Sequence, residues 1–464
     1  MKKMLTTPVI ITVLTVMALG ALLIAGCTEK KQKPLAPESF VSHPEWSKDA
    51  IIYEVNVRQF TPEGSFQAFR EHLPRLKELG VDILWFMPIH PIGEKNRKGT
   101  LGSYYSIQDY TAVNPEFGTL EDFKEVVDEA HALGMYVILD WVANHTAWDH
   151  AWIEEHPDWY TKDSTGNMIA PFDWTDVAEL DYEQEELQSA MIEEMKFWIT
   201  EVDIDGFRCD VAMEVPTPFW NRARKDLDAV KPVFMLAEAE SPEHHDYAFD
   251  MSYAWELHHI MNSIAKGEKN AYDLASYFAK RDTTFAKDAY RMTFITNHDE
   301  NSWNGTEYER MGDAVNTFAM LTYTLPGMPM IYSGQEAAFN ERLEFFEKDT
   351  IDWGNYSLSG FYKDLANLRK NNPALWSGES GACMERLTTS KDTSVFAFKR
   401  VKDENAVIVV ANLSPRSQTF TTRFNLRGKE LIEWPSGKPF ANAKKIEFSL
   451  LPWEYQVYIA GAKE

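Results

Sequence analysis

Met135-Tyr-Val-Ile-Leu-Asp140-Trp-Val-Ala-Asn144-His145 opens as an apolar run and closes in a polar cluster. Three later stretches repeat the plan: Gly206-Phe-Arg208-Cys-Asp210, Leu236-Ala-Glu238 and Ile295-Thr-Asn297-His298-Asp299. Each follows a strand-like segment, at Met135 to Leu139, Val202 to Phe207, Val233 to Leu236 and Met292 to Thr296. Parallel strands that carry their polar residues at the C-terminal ends describe the functional face of a (β/α)8 barrel. Three carboxylates converging there, Asp210, Glu238 and Asp299, with Arg208 two residues before the first, suit cleavage of a glycosidic bond.

Outward from these stretches, strand and helix patterns alternate as a parallel barrel requires. Ile51 to Val57 reads as the first strand and Phe66 to Leu79 as one amphipathic helix stopped by Gly80. Val81 to Phe86 is the second strand and Leu120 to Leu133 the second helix. From His145 to about Tyr182 no period holds, which marks an inserted loop over the active face. Helix resumes at Glu183 to Glu201, whose acids read as a solvated face. A sixth strand is placed at Tyr247 to Met251, an eighth at Pro329 to Tyr332, and a closing helix at Tyr356 to Lys370. Past Ser377, short alternating runs separated by turns predict a C-terminal antiparallel β-sandwich. The domain plan is residues 48–376 for the barrel, with the insert at about 145–182, and 377–464 for the β domain.

Residues 1–26 carry Lys2-Lys3 and an apolar run from Val9 to Ile24, the pattern of an export signal. Leu23-Ile-Ala-Gly26-Cys27 resembles a bacterial lipobox, which implies cleavage before Cys27 and lipid on its thiol. Residues 27–47 then read as a tether, and the protein as an exported lipoprotein at the outer membrane, facing the periplasm or the cell surface. A formal charge of −25 argues against nucleic acid as a partner, because the field repels it. Membrane contact is expected only through the lipid. Strand alternation turns Cys209 away from Arg208 and Asp210, so it is read as a packed thiol. The pairs His244-His245 and His258-His259 are read as surface histidines, since neighbours in sequence do not face one way on a helix.

The four polar-tipped stretches, in this order, resemble the signature regions of the α-amylase family of retaining α-glucan hydrolases, glycoside hydrolase family 13. The resemblance spans about residues 48–460 and implies a starch or maltodextrin substrate with α-1,4 bonds. It casts Asp210 as nucleophile, Glu238 as general acid and base, and Asp299 as the third carboxylate. Arg208, on the same strand face as Asp210, is expected to keep that carboxylate ionised. His145, His298 and Tyr105 are expected at the sugar with Arg208, while Asp140 and Asn144 give structural support. Tyr104 stands where a Pro is usual. Met213 and Glu214 replace the Lys-His pair that often serves the leaving sugar and a calcium ion, so calcium is doubtful and no cofactor is needed for the chemistry. The short insert implies a more open or differently walled cleft. Transglycosylation, debranching or exo attack, and an inactive glycan-binding lipoprotein stand as alternatives.

Overall fold

The computed structural model describes residues 38–424, 426, 429–441 and 445–461. The signal segment 1–26, Cys27 and the tether as far as residue 37 lie outside the described residues. Eight parallel strands close a barrel: β1 Ile52–Val55, β2 Ile83–Phe86, β3 Tyr136–Trp141, β4 Gly206–Cys209, β5 Phe234–Ala237, β6 Met251–Tyr253, β7 Tyr290–Thr293 and β8 Met328–Tyr332. The predicted (β/α)8 fold is therefore the observed one.

Strand alternation sorts the side chains. Ile52, Ile83, Trp85, Ile138, Phe234 and Leu236 fill the barrel interior. Tyr53, Leu84, Val137, Leu139, Phe207 and Met235 pack outward against the helices. The inward rows end in polar groups at the C-terminal rim, so Ile138 leads to Asp140 and Leu236 to Glu238. Register fixes their heights: Asp140 stands beside Arg208, Gly206 beside Phe234, and Cys209 beside Ala237. A Cβ on Gly206 would lie 1.9 Å from the Phe234 carbonyl oxygen, so only glycine lets β4 and β5 approach this closely.

Several expected elements shift for identifiable reasons. The helix predicted over 66–79 is two helices, Phe66–Arg70 and Leu73–Leu79. Pro74 has no N–H to continue the first helix, but it is tolerated in the opening turn of the second. The sixth strand lies at Met251–Tyr253, not 247–251, because His244–Tyr247 forms a helical turn and Asp250 is tied down just before the strand. The seventh strand ends at Thr293 rather than Thr296. Beyond it the Ile295 carbonyl accepts a bond from Arg310 instead of from a neighbouring strand.

The surface reading of the two histidine pairs is overturned for three of the four rings. His244, His245 and His258 are buried and only His259 is exposed. His245 Nε2 meets Ser252 Oγ at 2.6 Å, and His258 packs between Asn262 and Glu300. Cys209 is buried and unpaired, as a packed thiol should be, and Cys383 is exposed.

The insert is irregular but clamped at its base by a ribbon of His145–Ala147 and Val177–Glu179. The C-terminal part holds a six-stranded antiparallel sheet with strands Met384–Leu387, Val395–Lys402, Asn405–Asn412, Tyr455–Ala460, Leu431–Trp434 and Pro439–Phe440 in spatial order. A two-stranded ribbon, Gln418–Thr422 with Ile446–Leu450, faces it through Phe420, Phe448 and Tyr458. Arg400 joins sheet to barrel by donating to the Thr324 and Leu325 carbonyls.

Candidate active site

Asp210 and Glu238 are the residues immediately after β4 and β5, whose last residues are paired. Val211 follows at φ 34°, a left-handed conformation that costs a β-branched residue about 1–3 kcal/mol. That turn aims its N–H at Glu238, and the bond to Oε2 is 2.9 Å.

Arg208 lies beneath this pair, fully buried. Its Nη1 donates to Asp140 Oδ1 at 2.8 Å and to Asp210 Oδ1 at 2.9 Å. Its Nη2 lies 2.8 Å from Glu238 Oε2, at ion-pair distance without hydrogen-bond alignment. Its Nε donates to the Tyr253 hydroxyl at 3.1 Å. One expectation changes here. Arg208 does not line the cavity, so it reaches the sugar only through the carboxylates it holds. Its guanidinium is shared among Asp140, Asp210 and Glu238. Burial pushes the Asp210 carboxyl up; Arg208 opposes that, and Glu238, Asp140 and Asp299 reinforce it.

His298 forms the second charged node. Burial works against its charge, but Asp299 and Glu54 overcome that and lift it to about 9. As an imidazolium it donates at both nitrogens, from Nδ1 to Glu54 and from Nε2 to the Tyr105 hydroxyl at 2.7 Å. Tyr105 in turn donates to Asp140 Oδ2 at 3.2 Å, and Trp85 Nε1 donates to the same oxygen at 3.1 Å. Tyr104 points elsewhere, toward Asn56 and the Arg58 guanidinium. Five carboxyl groups (Glu54, Asp140, Asp210, Glu238 and Asp299) thus face two buried cations, Arg208 and His298. Such an excess in a buried site favours retention of a proton somewhere in the cluster.

A cavity of about 430 Å³ opens above these groups, lined by Tyr105, His145, Asp210, Glu238, His298 and Asp299 among others. That volume is within the roughly 300–1,000 Å³ of small-molecule sites. His145 is neutral, because burial lowers it to about 4, and its ring meets Trp174 edge-on at 5.5 Å. Asn144 lies beside it, Nδ2 to Nδ1 at 3.2 Å, and does not reach the cavity.

Sequence reasoning missed Glu54, an acid inside an otherwise apolar strand, which is a signal in itself because a buried acid needs a partner. It also missed Lys98, Trp174, Phe345 and Phe346, on loops around the cavity, and Trp303, on the short π-helical turn Glu300–Asn304. Among the described residues no group of three or more His, Cys, Asp or Glu side chains is placed to hold a metal ion, and Asn144 turns its Nδ2 toward His145.

Comparison with known proteins agrees with this fold. Residues 37–389 match the family described as alpha amylase, catalytic domain, and residues 385–457 match the maltogenic amylase C-terminal domain. The α-amylase MalA of Haloarcula japonica is 29% identical over 412 residues, which cover 84% of this chain and 59% of that enzyme. Among solved structures, a noncanonic maltogenic α-amylase from Thermotoga neapolitana superposes with a TM-score of 0.81 at 28% identity, covering 89% of this chain and 98% of that one. An α-amylase from Lactobacillus plantarum gives 0.79 at 30% identity with the same two coverages.

Proposed function

The chain belongs to the α-amylase family, and from that premise we propose that it is a retaining α-glucan hydrolase acting on α-1,4 bonds of starch fragments or maltodextrins. The observation that carries the proposal is the single guanidinium of Arg208 gathering Asp140, Asp210 and Glu238 on the floor of a cavity that Asp299 also lines.

Asp210 attacks the anomeric carbon and forms the glycosyl ester. The glycosidic C–O bond breaks as its oxygen takes a proton from Glu238. Water then attacks the same carbon, returns a proton to Glu238 and releases Asp210. Asp299 grips ring hydroxyls, and does so more tightly as the ring flattens, which lowers the barrier. The imidazolium of His298, with both N–H groups engaged by Glu54 and Tyr105, sets the charge beside it. His145 and Tyr105 hold the same ring. Asp140 and Asn144 keep Arg208 and His145 in place. Transfer to a sugar hydroxyl uses the same intermediate with a different acceptor.

A glycan-binding protein without catalysis would have no use for so many like charges held out of water at a cost to stability. Asp210→Asn tests the reading: reducing-sugar release from maltodextrin should fall by roughly 10⁴–10⁶-fold while the protein stays folded. Unchanged release would sink it. We further propose that residues 1–26 direct export and that Cys27 carries lipid. Cys27→Ser should then move the protein from the membrane to the soluble fraction, and a protein that stays membrane-bound would refute the anchor.

A further inference from the structure

The loops around the cavity are unequal. From Trp303 to Asp176 they form an unbroken wall. Trp303, half exposed at 54%, meets Phe345 at a tilt and Phe346 edge-on, with ring centroids 5.3 and 5.9 Å away. Its neighbours Asn301 and Ser302 bind the backbone of 341–343, which ties the turn to that loop. Phe346 accepts a bond from Leu101 N at 3.1 Å, and Glu347 one from Thr100 N at 2.9 Å. Lys98, on the same β2 loop, crosses to the insert and pairs with Asp176 at 2.9 Å. Behind that pair, Asp149 of the insert accepts from the backbone of Glu94 and Lys95.

The other side has no such wall. No described residue between Val211 and Glu238, or between Glu238 and His298, lines the cavity. Met213 and Glu214, just past the strained turn, face solvent. If Glu238 protonates the leaving oxygen, the leaving sugar lies on this open side. The ring held by Tyr105, His145, His298 and Asp299 then has its non-reducing end toward the wall.

On that reading of the chemistry, we propose that the wall closes the glycone end, so the enzyme removes short units from the non-reducing ends of α-glucan chains. Lys98 and Asp176 meet the terminal sugar, whose hydroxyls their charges can bind, and Trp303 gives an apolar face for its ring. A chain extended at that end would collide with the Lys98–Asp176 bridge.

The test compares two maltopentaose derivatives, one with a free non-reducing end and one with its terminal 4- and 6-hydroxyls tied in an ethylidene acetal, with products resolved by chromatography. The wild-type enzyme should cut the free-ended substrate at least about tenfold faster, because a pocket built to bind hydroxyls rejects the blocked sugar. Lys98→Ala, which opens the bridge, should narrow that ratio. Equal rates on the two substrates overturn the closed end while leaving the hydrolase intact. Hydrolysis of neither overturns the hydrolase reading, and the closed end with it.

Discussion

The barrel carries the same ingredients at its two ends and balances them differently. At the N-terminal end, Arg224 donates to Asp250 and pairs with Asp228, while His43 bridges Asp250 and Asp288. At the C-terminal end, Arg208 and His298 face five carboxyls. Both histidines are held up at about 9. At the lower end Asp250 is enclosed and saturated, since it also accepts from the Met235 backbone N–H at 2.7 Å. At the upper end Asp210, Glu238 and Asp299 turn toward an open cavity. A buried ion cluster therefore marks a reacting site when its carboxylates far outnumber the cations and reach a void, and a structural lock when its buried carboxylate, here Asp250, is enclosed and saturated by partners.

Replacing the two arginines should separate these roles most strongly. Arg208→Met should lower kcat by roughly 10²–10³-fold, as loss of a preorganised charge does. Arg224→Met leaves the buried Asp250 with His43 as its remaining cation and should cost up to about 3–5 kcal/mol in a denaturant titration, with kcat per folded molecule unchanged. If Arg224→Met lowered kcat as much as Arg208→Met, the division between the ends would fail.

The histidines give a smaller and shared effect. Each has a folded value of about 9, above the ordinary 6.5, so its charged form stabilises the fold. That contribution is complete below about 6.5 and is lost as pH rises through about 9. The Tm gap between wild type and His43→Asn, or His298→Asn, should shrink over that window. Only His298→Asn should also raise KM for maltodextrin. A pH-independent gap at either end would show that its histidine is not held charged.

The site was legible where its residues close a strand. Asp140, Asp210 and Glu238 end inward-facing rows, and alternation alone brings them to one rim. Asn297 to Asp299 were also legible, although the strand before them stops early because Arg310 captures the Ile295 carbonyl, a contact no periodicity announces. Glu54 was hidden by its own strand, whose apolar residues dominate the pattern. Lys98 and Trp303 could not be read, since their place depends on how separate loops meet. The buried histidines at 244, 245 and 258 were misjudged because a ring at a helix start or on its inner face looks the same in sequence as an exposed one.

Gly206 has a consequence for redesign. Because its missing side chain lets β4 and β5 close up, the heights of Asp210 and Glu238 are dictated by backbone register four residues below them. Nothing in the loops at 97–102, 173–177 or 341–347 enters that alignment. Those loops can be exchanged to fit a different sugar chain while the reacting pair stays in register, whereas a single methyl group at position 206 would disturb it under every set of loops.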